Sequence, residues 1–389
     1  MIAPLMSAII GIDGSSILPR RTGVGRYTFN LLRGLSDLEG DHRFVVFLNS
    51  LRHPFPPDAA FLRRAPCRAR RYRIPGPWLV KAWKRWEAPA IEWFAGRCDV
   101  FHSPATYVPP QRHGARVTTL HDLYFLKHPE DCHDLGGRYL AERLPRVAPA
   151  LDCVIAVSRA TAADAIERLG LAPERVHVVH SGVEERFAPV TNPETGAAAR
   201  ERYGIPSEFL LTVATLEPRK NLRRLLEAYR LLRGMGGEPP PLVLVGARGW
   251  NQDNLHRTIA ELGLGRRLIL TGFVDDADLP ALYSQARVFA LPSLYEGFGF
   301  PVLEAMACGT PVVASTTPAL AEIAEGAALL ADPLDVESIA QALREALESE
   351  TARARLIASG RERARQFTWR RCAEQTLAVY LRAHSLLSK

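Results

Sequence analysis

Residues 287–315 read RVFALPSLYEGFGFPVLEAMACGTPVVAS. RVFALP is a short apolar run of the kind that forms a buried strand, and SLYEGFGF is the loop after it. Pro301 suits the first turn of a helix, Gly309 suits its end, and PVVAS is the next strand. Strand, loop, helix and strand within one short span make a parallel βαβ unit. The same alternation runs along the whole chain. AIIGID, RFVVFL, DVFHS, RVTTLHD, CVIAVS and RVHVVHSG read as strands in the first half, and FLLTVAT, PLVLVG, RLILTG, ARVFALP and PVVAS in the second. Two successive sets predict two doubly wound parallel α/β domains. Apolar periodicity lapses over residues 186–206, which divides the chain into domains at 1–190 and 191–370. The amphipathic stretch 371–389 is expected to be a helix packing back on the first domain. Ligands of open parallel sheets bind beyond the carboxyl ends of the strands, and two such sheets facing each other would form a cleft.

Composition narrows the class. The chain has 389 residues, 47% hydrophobic and 23% charged, as in soluble globular proteins. Its six cysteines form no CxxC pair, which predicts reduced thiols and a cytoplasmic location. MIAPLMSAIIGID lacks a basic n-region and reads as a first strand with a ragged start, not a signal peptide. No apolar stretch is long enough to span a bilayer. The net charge of +7 lies wholly in residues 1–190, with 26 Lys+Arg against 19 Asp+Glu; residues 191–389 hold 23 of each. Residues 51–100 alone hold 11 against 4. There RRAPCRARRYRIPGPWLVKAWKRW interleaves cations with tryptophans. Peripheral contact of residues 63–86 with an anionic membrane and an ordinary solvated basic face are both open. No recognition motif accompanies the charge, so nucleic acid is not expected.

Glu296 and Glu304 stand on either side of the glycine loop and the helix start. The amides of Gly297, Phe298, Gly299 and Phe300 at a helix N-terminus suit a phosphate, aided by the helix dipole. A carboxylate accepts two hydroxyl hydrogen bonds, so each glutamate suits a vicinal diol, one on a ribose and the other on a second sugar. Arg219 and Lys220 follow a strand, where two cations suit a leaving diphosphate. GVGRYT lacks the third glycine of a dinucleotide fingerprint, so Gly23 and Gly25 read as a tight turn after the first strand, not as a nicotinamide site. His121 and Asp122 end a strand, and Asp122 is also placed to cap the following turn. No cluster with metal-ligand spacing is present, and VDDAD (274–278) lies in a loop.

The E-x7-E frame PSLYEGFGFPVLEAMACGTPVVAS resembles the signature of the retaining glycosyltransferases of family 4, which have the GT-B fold. Further stretches match that family in order: TGVGRYTFNLL (22–32), TLHDLYFLKHPE (119–130), VSRATAADAIERLG, VVHSGVEERF and VATLEPRKNLRRLLEAY (213–229). The overall pattern is most similar to bacterial GDP-mannose-dependent enzymes of surface polysaccharide assembly. The resemblance implies two Rossmann-like domains facing a central cleft. It implies transfer of a hexose from a nucleotide sugar to a saccharide or lipid-linked acceptor, with retained configuration, no metal ion and no other cofactor. UDP-glucose, dTDP-rhamnose and GDP-rhamnose are alternative donors, and a sugar-nucleotide epimerase or a silent scaffold are alternative activities. By the same resemblance His121, Glu296, Lys220 and Arg219 are catalytic. Glu304, residues 297–300, Phe273, Val274, Gly23 and Gly25 would bind the donor, with Asp122 and Thr215 as further candidates. Where the family often has an asparagine before Gly182, this chain has Ser181, which puts a donor contact there in doubt.

Overall fold

The structure, a computed structural model, describes residues 7–18, 23–131, 135–236, 238–246 and 252–387. Residues 1–6 of the ragged start, Thr22 of the first glycine motif and Cys132 lie outside them. The chain forms two compact units, Met1–Gly182 with Thr368–Lys389, and Val183–Phe367.

The first unit carries a seven-stranded, wholly parallel sheet. Its strands are β1 (Ile9–Asp13), β2 (Arg43–Asn49), β3 (Cys67–Tyr72), β4 (Val100–Ser103), β5 (Ala115–Leu120), β6 (Cys153–Ala156) and β7 (Val176–Val178), in the order β3-β2-β1-β4-β5-β6-β7. The second unit carries six parallel strands. They are β8 (Leu210–Val213), β9 (Leu242–Val245), β10 (Leu268–Gly272), β11 (Val288–Leu291), β12 (Val312–Ser315) and β13 (Leu329–Ala331), in the order β10-β9-β8-β11-β12-β13. β4, β6, β9, β11 and β12 are buried along their whole length, as strands covered on both faces must be. That double burial is why their sequences read as continuous apolar runs.

Two strands escaped the sequence reading. CRARRY forms β3, paired along its length with β2 from Phe44↔Cys67 to Asn49↔Tyr72. It is an edge strand, so its arginines leave the sheet instead of entering a core. Arg71 donates to the His53 carbonyl at 2.7 Å, and Arg70 to that of Phe94 at 3.3 Å. A charged edge also resists pairing with another chain. The other strand, β13, has only three residues at the opposite edge of the second sheet.

The second unit begins at Val183, upstream of the 191 read from sequence, because residues 183–190 are bonded into it. Val183 N–H donates to the Phe367 carbonyl at 3.0 Å, Arg186 pairs with Asp276 at 3.6 Å, and Val190 N–H reaches Ser284 Oγ at 3.0 Å. The long last helix, Trp369–Leu387, belongs to the first unit. Its Tyr380 hydroxyl lies 2.6 Å from His102 Nδ1, and His102 Nε2 lies 2.8 Å from Thr119 Oγ1. Thr119 Oγ1 also meets the Tyr27 hydroxyl at 3.2 Å. Burial, followed by the neighbouring His121, pushes His102 down to about 3, so it stays neutral in this network. Where the helix begins, a Cβ on Gly182 would lie 2.3 Å from Trp369 N. Only glycine lets the two segments pass so closely.

Candidate active site

In each sheet the strand order reverses once, at β1/β4 and at β8/β11. Such switch points open a crevice beyond the carboxyl ends of the strands. At the second one, the segment after β8 ends in a short 3-10 turn, Pro218–Lys220, and the segment after β11 carries residues 293–299.

These loops meet in a buried ion-pair cluster. Lys220 Nζ donates to Glu296 Oε1 at 2.6 Å, and Arg219 Nη1 to Glu296 Oε2 at 3.4 Å. Ser293 Oγ donates to Glu296 Oε1 at 2.8 Å, and Arg219 Nε to Glu217 Oε2 at 2.7 Å. Glu296 and Lys220 are each 8% exposed, so water screens their attraction poorly. Burial, the largest single influence, pushes the Glu296 carboxyl up. Lys220, Arg219 and the hydrogen bonds from Lys220 and Ser293 outweigh it and hold the group below its ordinary value.

The backbone is braced around this cluster. Leu294 N–H donates to the Arg219 carbonyl at 2.7 Å, and Asn221 Nδ2 donates to the carbonyls of Pro292 at 2.9 Å and Pro333 at 2.6 Å. Ser315 Oγ holds the Ser293 carbonyl at 2.7 Å. Ser293, Asn221, Ser315 and Glu217 were not singled out from sequence. Ser293, Asn221 and Ser315 share a signal, a short polar residue at the end of a strand or between it and the next helix. Thr215 is exposed, and its hydroxyl donates to Glu217 Oε1 at 3.0 Å, so it joins the rim of the cluster.

The glycine loop runs into the helix Phe300–Ala307, whose N-cap, Gly299, sits at φ 110°. That backbone favours glycine, and a Cβ there would also meet Leu320 at 2.5 Å. Gly297 and Phe298 are buried, and the rings of Phe298 and Phe300 meet edge-on at 5.1 Å. Glu304, in the body of this helix, is buried and accepts the Tyr283 hydroxyl at 3.0 Å. After β10, Phe273 is exposed and Val274 is buried. The VDDAD loop is engaged in ion pairs: Asp278 accepts Arg202 at 2.7 Å and the Tyr203 hydroxyl at 2.8 Å, while Asp276 takes Arg186.

The first unit places the remaining candidates. His121 follows β5 and is partly buried. Its Nε2–H donates to the Pro104 carbonyl at 2.7 Å, and its ring meets Tyr27 edge-on at 4.7 Å. Burial, the largest influence, holds its pKa below the ordinary histidine value. A neutral ring that donates through Nε2 leaves Nδ1 as an acceptor. Asp122 accepts the Tyr124 N–H at 3.2 Å and thus caps the next turn. Gly23 and Gly25 need correction. They do not form a turn after β1, which is instead followed by the 3-10 turn Ser15–Ile17. They open the helix α1 (Gly23–Ser36), and among the described residues nothing lies within 4 Å of a Cβ built on Gly23. Ser181 is buried, and its hydroxyl has no hydrogen-bond partner among the described residues. Among the described residues, no three His, Cys, Asp or Glu side chains are grouped to hold a metal ion.

Replacing Glu304 by alanine is expected to weaken binding of a nucleoside diphosphate by about 1.5–3 kcal/mol, the worth of a hydrogen bond to a charged group. Titration calorimetry with GDP checks this. Unchanged affinity would leave Glu304 a structural part, such as holding Tyr283.

Comparison with known proteins follows the same division. Residues 21–187 match the model of Glycosyltransferase Family 4, and residues 198–363 that of Glycosyl transferases group 1. O-antigen chain mannosyltransferase B of Escherichia coli is 31% identical over 379 residues, covering 92% of this chain and 96% of that protein. Among solved structures, sucrose-phosphate synthase from Thermosynechococcus elongatus superposes with a TM-score of 0.75 at 23% identity, over 97% of this chain and 99% of that one. Anabaena Alr3699/HepE in complex with UDP and glucose gives 0.70 at 21% identity, over 98% and 100%. At these identities the two structures speak for the fold alone.

Proposed function

Since the chain belongs to the family 4 glycosyltransferases and is a hexosyltransferase, we propose that it moves mannose from GDP-mannose to a hydroxyl of a saccharide or lipid-linked saccharide acceptor, with retained configuration. The observation that carries the reading is the buried cluster of Lys220, Arg219 and Glu296 at the β8/β11 switch point. Two cations held beside a glycine loop and a helix start suit a diphosphate, whose charge grows as the bond to the sugar breaks. In the step we envisage, the anomeric carbon–oxygen bond to the diphosphate breaks and the acceptor oxygen bonds to the same carbon. The acceptor proton passes to the departing phosphate. Lys220 and Arg219 stabilise that phosphate, Glu296 holds a hydroxyl of the sugar, and Glu304 holds the ribose diol. Phe273 and Val274 offer backbone groups to the base. His121 accepts a substrate hydroxyl at Nδ1.

Mannose is preferred because the relative matched over nearly its whole length is an O-antigen chain mannosyltransferase. We assign the reaction no metal ion, and Asp276 and Asp278 of the VDDAD loop are spent on arginines. We place the enzyme in the cytoplasm, where reduced thiols persist. Cys67, Cys98, Cys153, Cys308 and Cys372 are buried free thiols, in keeping with that.

The test offers GDP-mannose, GDP-rhamnose, UDP-glucose and dTDP-rhamnose to the purified protein with a mannoside acceptor, in EDTA. Expected is turnover with GDP-mannose and an α-linked product by NMR. Transfer from another donor would overturn the choice of sugar. An inverted product would overturn the retaining mechanism, and an altered sugar nucleotide without acceptor would mark an epimerase.

A further inference from the structure

Tyr27, in α1, is fully buried, yet it touches two different residues at the exit from β5. Its hydroxyl lies 3.2 Å from Thr119 Oγ1, and its ring meets the His121 imidazole edge-on at 4.7 Å and 84°. Thr119 and His121 are two residues apart, and an extended chain turns such residues to the same side. One rigid side chain therefore spans both. The same ring also meets Trp369, at the start of the last helix, at 5.8 Å.

Thr119 is itself a fixed point. The Tyr380 hydroxyl lies 2.6 Å from His102 Nδ1, closer than an N–H donor ordinarily comes but ordinary for an O–H donor. The phenol therefore donates. Neutral His102 keeps its one proton on Nε2, which donates to Thr119 Oγ1 at 2.8 Å. Thr119 then has its own proton to give, and the Tyr27 oxygen lies within its reach. Burial, the largest influence, raises Tyr27 and Tyr380 well above the ordinary tyrosine value, so both phenols stay protonated. The chain of bonds runs from the last helix through β4 and β5 to α1.

The bond from His121 Nε2–H to the Pro104 carbonyl fixes one atom of the imidazole, but a single bond does not fix the plane of the ring. Half a turn of that plane would exchange Nδ1 for a carbon and break the bond to Pro104. Tyr27 supplies the second restraint. At 4.7 Å, near the short limit for paired rings, the phenol leaves the imidazole no room to turn. We propose that Tyr27 is a positioning residue for the transfer reaction. Tied to Thr119, it holds the His121 ring so that Nε2–H stays on Pro104 and Nδ1 is presented to a substrate hydroxyl. This rests on the part given to His121 in the proposed function.

The experiment uses the full chain with isotopically labelled histidine rings, so that nitrogen NMR reports which ring nitrogen carries each proton. His121→Gln identifies the His121 signals by their loss. In the wild type they should show one species, protonated at Nε2 alone. Tyr27→Phe and Thr119→Val, both nearly isosteric, cut the same tether from its two ends. Each should bring in a second His121 species, protonated at Nδ1. Each should also lower kcat with GDP-mannose about tenfold, since a misplacement of about 1 Å can cost roughly a hundredfold, while KM for the donor changes little. The double variant should be no slower than Thr119→Val alone, because one hydrogen bond cannot be lost twice. A wild-type His121 spectrum in both single variants, or losses that multiply in the double variant, would overturn the proposal. A second His121 species with unchanged kcat would keep Tyr27 as the holder of the ring and overturn the part given to His121 instead.

Discussion

Lys220→Ala is expected to lower kcat by about 10²–10³ while changing KM for the donor little. That is the range observed when one preorganised donor to a developing anion is removed. Lys220 is buried and held at 2.6 Å from Glu296, so its ammonium is in place before any phosphate arrives. Its interaction should strengthen as negative charge collects on the leaving diphosphate, which is why the loss falls on kcat. Steady-state kinetics with GDP-mannose and a saturating acceptor provide the measurement. Near-normal kcat with a raised KM would mean that Lys220 holds the donor and its transition state equally.

Glu296→Gln should have effects of opposite sign on GDP binding and on turnover. In the resting protein the Glu296 carboxylate already satisfies Lys220 and, at 3.4 Å, Arg219. A diphosphate must therefore compete with an internal anion for the same two cations. Neutralising Glu296 leaves those cations under-compensated in a buried place, a loss of about 3–5 kcal/mol when one member of a buried pair is removed. The unliganded variant should melt at lower temperature, and GDP should bind it more tightly and raise its melting temperature further than in the wild type. Turnover should fall roughly 10–150-fold, because a charge-assisted contact to the sugar worth about 1.5–3 kcal/mol is lost. Weaker GDP binding by the variant would show that the carboxylate does not compete with phosphate.

What could be read from the chain, and what could not, divides along the range of the interactions. β11, the glycine loop, the helix Phe300–Ala307 and β12 are legible because each is a local pattern of apolar run, glycine, proline and apolar run. β3 was hidden because an edge strand needs no apolar alternation, and β13 because three residues carry no period. Lys220 and Glu296 were both singled out, but as holders of different parts of a ligand. Their mutual ion pair joins residues in the loops after two separate strands, and the strand order β8-β11 brings those loops together. The braces from Asn221, Ser293 and Ser315 were invisible for the same reason, since each bonds to a backbone carbonyl or carboxylate set by the fold. The tryptophans of the helix Gly76–Trp86 were indistinguishable as letters. Packing took Trp83 inward and left Trp78 and Trp86 outside.

The helix Trp369–Leu387, which follows the second unit in the chain, completes the first, and this fixes an order of events at the ribosome. Val183–Phe367 is uninterrupted and can fold as soon as it has emerged. The earlier-made unit cannot close. Until Tyr380 is synthesised, His102 has no partner at Nδ1, and the surface that Ala373, Val379 and Ala383 will cover stays open. At 5–20 residues per second, translation of the intervening unit takes roughly 10–40 s. Throughout that interval the nascent chain presents an incomplete apolar face, a natural binding site for chaperones. The part of the protein made first is therefore the last to be finished.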